Sequence, residues 1–460
     1  LRRHAGALIR RSKTATALYR IGLQALHALA APVDIEARLG ALLDRTGARD
    51  GAGAIPGRIL LVGHGLAAGG AERQTLNTMI GLDRLVRAGD FESVRLALDP
   101  LPEDGSRSFY LPHLRAAGFG YHEIAPRPEA VAADLDALRP ELTQTIGADC
   151  AQKVIAYAAF FREARPEVAH LWQDWINVLA GLGAVFAGVP AVLLSGRNLS
   201  PPHFLYGHPM LRPVYRALLA RQQTSLLNNS HAGAADYVRW LGIAPDAVGV
   251  IRNGVVLAPR DARAQAAAMD LRRAVGIPDT APVVCSVFRF WPEKRPELWL
   301  RTAIRIAAAQ PEVHFLIAGW GPLIAKTRSA AARAGLGARF VIAEAQQDVA
   351  AAICAGDVFL LTSRAEGIPN VVLEAQYLGV PVVATDAGGT AETISPGATG
   401  AIASERPAEL ARHVLAWLAD DSGRNAVREA GPRWIEERFG FDRMVAETVA
   451  AYDRARGRSR

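Results

Sequence analysis

From Gly57 onward the chain alternates short apolar runs rich in β-branched residues with longer stretches in which apolar positions recur every three or four residues. Runs of the first kind mark strands buried on both faces of a parallel sheet, and stretches of the second kind mark helices with one face turned inward. Arg58 to Val62 reads as the first strand, residues 63–70 as a glycine-rich loop, and residues 71 to about 87 as a helix. Further strands are expected at 94–98, 168–172, 191–195 and 225–228. A second series opens at 283–288 and continues at 313–318, 339–342, 357–362 and 381–385. Strands and helices alternating in this way predict doubly wound α/β sheets.

Two similar segments divide the series. GVPAVLLSG at 188–196 and GVPVVATDAGG at 379–389 each follow a helical stretch, stop at Gly, turn at Pro and enter a strand. Gly ends a helix and Pro prevents its continuation. The echo favours paired Rossmann-like domains over one large sheet, and 460 residues exceed what one ordinary core holds. The join falls within 253–282. After Pro407 the pattern is helical, ending in a basic tail, Arg454 to Arg460, expected to be disordered. Ahead of the alternation, residues 1–55 form a separate helical block, basic at Arg2, Arg3, Arg10, Arg11, Lys13 and Arg20 and apolar at Leu8, Ile9, Tyr19, Leu23 and Leu26. It reads as an amphipathic helix pair that rests either on anionic lipid or on the protein's own surface.

The one long uncharged run, Trp175 to Gly196, has the length of a membrane span. Asn177, its glycines and the Gly188-Val189-Pro190 break split it instead into a buried helix and a strand. A net charge of +7 favours anionic partners, whether a phosphorylated substrate, an acidic membrane surface or nucleic acid. Aromatics are not interleaved with a Lys/Arg stripe, which argues against nucleic acid. Cys150, Cys285 and Cys354 lack C-x-x-C spacing, so neither a zinc site nor a disulfide framework is indicated. The setting this suggests is cytoplasmic, at the inner face of the membrane if the basic block binds lipid.

Candidate chemistry concentrates in Ser363 to Glu374, SRAEGIPNVVLE, where a strand exit, a turn, a helix start and two spaced carboxylates coincide. Gly367 permits a tight turn, and Pro369 suits the first position of a helix running to about Leu378. A helix start at the carboxyl end of a parallel strand is a ready anion site. Glu366 and Glu374 would repel a phosphate, so their natural partners are hydroxyl groups. A ligand with phosphate between two hydroxyl-rich ends satisfies both demands, and that describes a nucleotide sugar. A helix cap and an ordinary ion pair would use the same two residues.

In RFWPEKRPE, Arg289 and Lys294 share a loop directly after a strand, where both can reach the carboxyl edge of the sheet. Two cations there would neutralise a diphosphate and stabilise it as a leaving group. Glycine turns at 318–322, AGWGP with Gly319, and at 386–392, DAGGTAE, line the same predicted edge.

The order of NNS at 228–230, IRNGV at 251–255, Arg289-x4-Lys294, AGWGP, DVFLLTSRAEGIPNVVLEA at 357–375 and GGTAE at 388–392 resembles the retaining glycosyltransferases of family 4. GGAERQ at 69–74 and RPEVAHLWQ at 165–173 extend the resemblance to about residues 57–450. It implies a GT-B fold, two Rossmann-like domains facing across a cleft, with the donor on the C-terminal domain and the acceptor mainly on the N-terminal one. The implied division is a basic extension at 1–55, an acceptor domain at 56–258, a nucleotide-sugar domain at 259–432, and a last helix with basic tail at 433–460 crossing back. Carried over by position, Arg289 and Lys294 would hold the donor diphosphate, Glu366 the transferred sugar and Glu374 the ribose. Backbone N–H groups of Gly367, Ile368 and Asn370 would help at the helix start, and Gly69 and Gly70 would let the opposing loop approach the phosphates.

The sequence departs from the family where a histidine often follows the N-domain strand ending at Ser195; here SGRNLSP places Arg197 near that position. Arg197 stays protonated and cannot be a general base, but could bind an acidic acceptor or the donor phosphate, or form an ion pair. His170 and Asp174, near the end of the preceding strand, are the alternatives for a base. In a front-face retaining reaction the departing phosphate can itself take the acceptor proton. No metal or cofactor is required on this reading, and the one D-x-D, Asp134-Leu-Asp136, lies in a helical stretch suited to a solvated face. The expected activity is metal-independent transfer of a sugar from a nucleotide-diphosphate donor to a glycan or lipid-linked acceptor in surface polysaccharide assembly. A nucleotide-sugar epimerase and a non-catalytic sugar-nucleotide binder are the rival readings; product without added acceptor marks the first, and binding without turnover the second.

Overall fold

A computed structural model of the chain describes residues 34–46, 53–125, 131–256, 260–344 and 348–457. Its strands fall into two parallel sheets. The first is built from β1 (Ile55–Gly63), β2 (Ser93–Leu98), β3 (His122–Glu123), β4 (Pro166–Trp172), β5 (Ala191–Gly196), β6 (Thr224–Asn228) and β7 (Val248–Val250), in the order β3-β2-β1-β4-β5-β6-β7. The second contains β8 (Val283–Val287), β9 (His314–Ala318), β10 (Phe340–Ala343), β11 (Val358–Leu361), β12 (Val382–Thr385) and β13 (Gly400–Ala403), in the order β10-β9-β8-β11-β12-β13. Apart from the extra edge strand β7, the orders correspond strand for strand, and each reverses direction between the first and fourth members. These are two Rossmann-like lobes, as expected of a GT-B chain. The echoed GVP segments enter β5 and β12, which hold equivalent places; Gly188 and Gly379 end the preceding helices at φ 76° and 71°.

The period of two along each strand sends alternate side chains to opposite sides. On β1, Ile59 and Leu61 join one core while Leu60 and Val62 join the other. On β8, Val284 packs on one side of its sheet, and Val283 and Cys285 on the other. Such double burial made these strands visible as continuous apolar runs. Three strands were not expected: β3 is two exposed residues, β7 has three, and β13 follows a glycine-rich turn. None carries an apolar run long enough to stand out.

Helix Asp174–Ala187 and β5 divide the uncharged run as the Gly-Val-Pro break requires. Among the described residues, no helix is long and apolar enough to cross a membrane. The block at 1–55 is not wholly separate. Helix Ile35–Arg45, capped by Asp34, buries Leu39, Leu42 and Leu43 in the first lobe's core, and Glu36 pairs with Arg216 at 2.7 Å. The basic positions named at 2–20 and their apolar companions lie outside the described residues. The expected disordered tail also needs correction. Arg454 belongs to helix Phe441–Ala455, and the nearly buried Arg456 meets Glu167 at 3.2 Å and pairs with Asp453. Residues 458–460 lie outside the description.

Helix Asp421–Phe439 packs on the second lobe, and the chain then turns at Gly440 and crosses back. In helix Phe441–Ala455, Met444, Val449, Ala451 and Tyr452 enter the first lobe's core beside β1 and helix Gly70–Ala88. A second link lies alongside, where Val255 N–H donates to the Phe439 carbonyl at 2.9 Å.

Candidate active site between the lobes

The second lobe's half of the site is the crevice where its strand order reverses, at the carboxyl ends of β8 and β11. After β8 the chain forms a short turn, Pro292–Lys294, leading into helix Pro296–Ala309. That loop is knitted to the exit of β11. Arg295, held at φ 50°, donates through Nε and Nη2 to the carbonyls of Thr362 and Ser363 at 2.7 and 2.8 Å. Thr362 Oγ1 donates to the Lys294 carbonyl at 3.1 Å, and Arg364 N–H to the Glu293 carbonyl at 2.8 Å. These bonds hold Lys294 where its ammonium meets the buried carboxylate of Glu366. Arg289 stays half-exposed, 3.9 Å from Glu293, and its charge reaches Glu72 on the opposite lobe.

Beyond Glu366 the turn is confined. A side chain on Gly367 would collide with the Asn229 amide and lie 2.8 Å from the Arg197 carbonyl. One on Gly388, already at φ 62°, would strike the Glu366 carbonyl. Pro369 is the residue before the helix rather than its first member, and the helix runs Asn370–Tyr377. Glu374 sits one turn in, 2% exposed, with Oε1 paired to Arg73 of the first lobe. Its Oε2 is buried and has no hydrogen-bond partner among the described residues. A carboxylate oxygen so placed needs a donor, and a ligand hydroxyl is one.

The first lobe meets this edge with the start of helix Gly70–Ala88. Asn370 is the meeting point: its amide donates to the Gly70 carbonyl at 3.2 Å, and its Oδ1 accepts from Gln74 at 3.2 Å and from Asn253 at 2.7 Å. Gln74 also forms a reciprocal pair with the backbone of Gly254, at 2.9 and 3.0 Å. A side chain on Gly70 would press Asn370, and one on Gly69 would strike the Glu72 carboxylate. Gly70 thus permits close approach of the lobes, whereas Gly69 makes room for a carboxylate of its own helix. Gly319 is confined by the Phe288 carbonyl, a packing need within its own lobe. Burial raises the Glu72 carboxyl above its ordinary value, partly offset by its hydrogen bonds to backbone and to Gln173.

The three base or acceptor candidates fall behind this edge. His170 is 2% exposed, its Nδ1 lies 2.9 Å from the Tyr452 hydroxyl, and burial with help from Arg197 lowers its pKa to about 3, so it is neutral. Asp174 is buried under the hydroxyls of Tyr215, Tyr237 and Tyr206, and burial raises its carboxyl against those hydrogen bonds. Arg197 lies over the Trp172 ring at 4.4 Å and donates to Asn253 Oδ1 at 2.6 Å; burial lowers its pKa to about 9. It has no carboxylate partner among the described residues, so the ion-pair reading is set aside. Asp134 and Asp136 are taken up by Arg162 and Arg139, and no cluster of metal-ligating side chains occurs among the described residues.

Sequence reasoning gave no role to Arg73, Asn253, Arg295 or Glu392. Glu392, from the second lobe, accepts the N–H groups of His231 and Ala232 at 3.0 and 2.8 Å, capping a first-lobe helix across the cleft. Arg73 and Glu392 lay inside quoted motifs; their partners, some 300 and 160 residues away in sequence, gave no local signal.

Residues 267–434 match the family model described as glycosyl transferases group 1. The chain is a glycosyltransferase of GT-B fold, related to that family. It is 27% identical over 417 residues to the Vi polysaccharide biosynthesis protein VipC/TviE of Salmonella typhi, covering 86% of this chain and 72% of that protein. It is 30% identical over 266 residues to the 2-deoxystreptamine glucosyltransferase of Streptomyces kanamyceticus, covering 55% of this chain and 66% of that one. In fold, it is similar to Anabaena HepE, solved with UDP and glucose, at a TM-score of 0.65 and 18% identity over 85% of this chain and 99% of that one. A glycosyltransferase from Rickettsia africae gives 0.67 and 14%, over 87% and 99%.

Proposed function

We propose that this glycosyltransferase is a retaining enzyme of family 4 type that moves a sugar from a nucleotide-diphosphate donor to a glycan or lipid-linked acceptor in surface polysaccharide assembly. The observation that carries the reading is the presence, on one confined segment, of Glu366 paired with Lys294 and of Glu374 with a buried oxygen that has no partner among the described residues. The donor diphosphate lies on Lys294, Arg289 and the N–H groups at the start of helix Asn370–Tyr377, Glu374 takes ribose hydroxyls, and Glu366 takes hydroxyls of the transferred sugar. Gly69 and Gly70 bring the first lobe onto the phosphates. The bond from C1 to the diphosphate breaks, the acceptor oxygen bonds C1 on the same face, and its proton passes to the departing diphosphate oxygen. Neutral, enclosed His170 and tyrosine-bound Asp174 fit a reaction that uses no protein base. The residue division is 56–258 for the acceptor side and 259–432 for the donor side. UDP sugars come first as donors, by analogy with the ligands of HepE. Residues ahead of 34 carry the contact with anionic lipid, which vesicle sedimentation of a chain starting at Asp34 tests; undiminished binding removes it. A thermal-shift screen of nucleotide sugars tests the donor reading, since a true donor binds only the native state.

A further inference from the structure

The segment between β5 and helix Leu211–Leu219 sets a tyrosine ring beside the donor site. Its start is anchored: buried Asp236 accepts from the N–H and hydroxyl of Ser200 at 2.8 and 2.6 Å and faces His203 Nε2 at 3.1 Å. The chain then turns tightly, with Phe204 N–H on the Pro201 carbonyl at 3.0 Å and Gly207 N–H on the Phe204 carbonyl at 3.1 Å. Buried Phe204 packs with Leu199 and with Ala365 of the second lobe, the residue before Glu366. Tyr206 stacks on Phe204, with ring centroids 5.1 Å apart and planes 5° apart, and its hydroxyl donates to Asp174 Oδ2 at 3.4 Å. One face and the hydroxyl end of the ring are thus held, yet Tyr206 is 45% exposed and Leu205 beside it 63%. The charges of Arg289 and Glu293 act on the Tyr206 hydroxyl from the second lobe, so the ring stands near the loop that carries Lys294.

A ring already fixed in place loses little freedom when a ligand covers it. The ligand that matches these surroundings is a pyranose, whose axial C–H bonds form a flat apolar face and whose hydroxyls form a polar rim. The open part of the Tyr206 ring suits the face, and Arg289 and Glu293 supply a donor and an acceptor for the rim. Trp291, between those two in sequence, is 37% exposed and adds a second ring to the same loop. A lipid chain needs a continuous apolar trough, and here charged groups interrupt the apolar surface. We propose that Tyr206 is the platform on which a pyranose of the acceptor glycan stacks, with one of its hydroxyls presented to the transferred sugar at Glu366. This inference rests on the transfer reaction proposed above and assigns its acceptor class, a sugar ring rather than a lipid.

Saturation-transfer NMR on the whole chain tests it, with the methyl pyranosides of glucose, galactose, mannose, N-acetylglucosamine, N-acetylgalactosamine and glucuronic acid as probes. At least one glycoside should receive saturation on the C–H protons of one ring face. That signal should fall about threefold or more in Tyr206→Ala and persist in Tyr206→Phe, which keeps the ring. UDP affinity by calorimetry should be unchanged in both variants, which also shows them folded. Signals that are equal in wild type and Tyr206→Ala, or absent for every glycoside, overturn the proposal. So does a Tyr206→Ala chain that loses UDP or UDP-sugar affinity instead, which places the ring on the donor side, or one that loses only the binding of a ten-carbon prenyl phosphate, which makes the occupant a lipid. The glycosides are measured with and without UDP, so a wild type that binds no UDP contradicts the transfer reading while the glycoside result still decides this one.

Discussion

Arg73 of the first lobe and Glu374 of the second form an ion pair across the cleft, with Glu374 3% and Arg73 24% exposed at their side chains. The pair satisfies one carboxylate oxygen and leaves the other, Oε2, buried without a hydrogen-bond partner among the described residues. A ligand hydroxyl can therefore add to the arrangement without displacing Arg73. Glu374→Ala should lower transfer by about 10²-fold or more, chiefly through weaker donor binding, as measured by initial rates over a range of donor concentrations. Arg73→Ala should cost about 2 kcal/mol in unfolding free energy by leaving Glu374 buried without its cation, measured by denaturant titration. Near-normal turnover of Glu374→Ala would remove its assignment.

Lys294 is the other fixed charge. Its backbone is tied to Thr362 and its ammonium to Glu366, so it is positioned before any ligand arrives. Lys294→Ala should depress kcat by roughly 10²–10³-fold, since charge on the leaving diphosphate grows as the bond breaks. Lys294→Arg should recover little, because the compact ammonium fits the Glu366 carboxylate and a planar guanidinium does not. Circular dichroism should show both variants folded, and steady-state rates give the comparison.

Glu392 tests the coupling of the lobes. It caps helix His231–Leu241 from the opposite lobe, beside the helix's own cap, Ser230, which accepts from Gly233 at 3.0 Å. Glu392→Ala should cost about 1 kcal/mol in unfolding free energy. Ser230→Ala should cost a similar amount, and only the Glu392 change should alter the inter-lobe distance distribution in small-angle scattering. Identical scattering from both variants would argue that the cap does not hold the cleft.

Much of this organisation was visible in the chain. Strands buried on both faces read as continuous apolar runs, so ten of the thirteen strand positions and the paired lobes followed from sequence. Glu366, Gly367 and Glu374 were legible because the β11 exit, turn and helix start are contiguous, and Lys294 because its loop directly follows the apolar run of β8. The partners were not. That Glu374 meets Arg73, that Asn370 gathers Gly70, Gln74 and Asn253, and that Arg295 rather than Arg289 secures the β11 exit are consequences of closing two lobes, which no local pattern encodes. His170 illustrates the limit in the other direction. A histidine at a strand end suggests a base, but the returning helix, distant in sequence, covers it with Tyr452.

His170 also makes stability depend on pH. Burial lowers its folded pKa to about 3 from the ordinary 6.5, so between those values the unfolded chain binds the additional proton. Its contribution is complete above pH 6.5 and is lost as pH falls toward 3, by up to about 1.4 kcal/mol per unit. The unfolding midpoint should fall between pH 7.5 and 5, and that of His170→Gln should fall less. Equal slopes for both proteins would place the acid sensitivity elsewhere.

The central claim is that the segment from Ser363 to Glu374 grips a nucleotide sugar between the lobes. Titration calorimetry of the wild-type chain and of Glu374→Ala with UDP and UDP sugars, extended to other nucleotide diphosphates, addresses it most directly. The account predicts saturable one-to-one binding of one nucleotide series to the wild type, weakened at least tenfold in the variant. Binding of equal strength in the two proteins, or no binding by any nucleotide diphosphate, would contradict it.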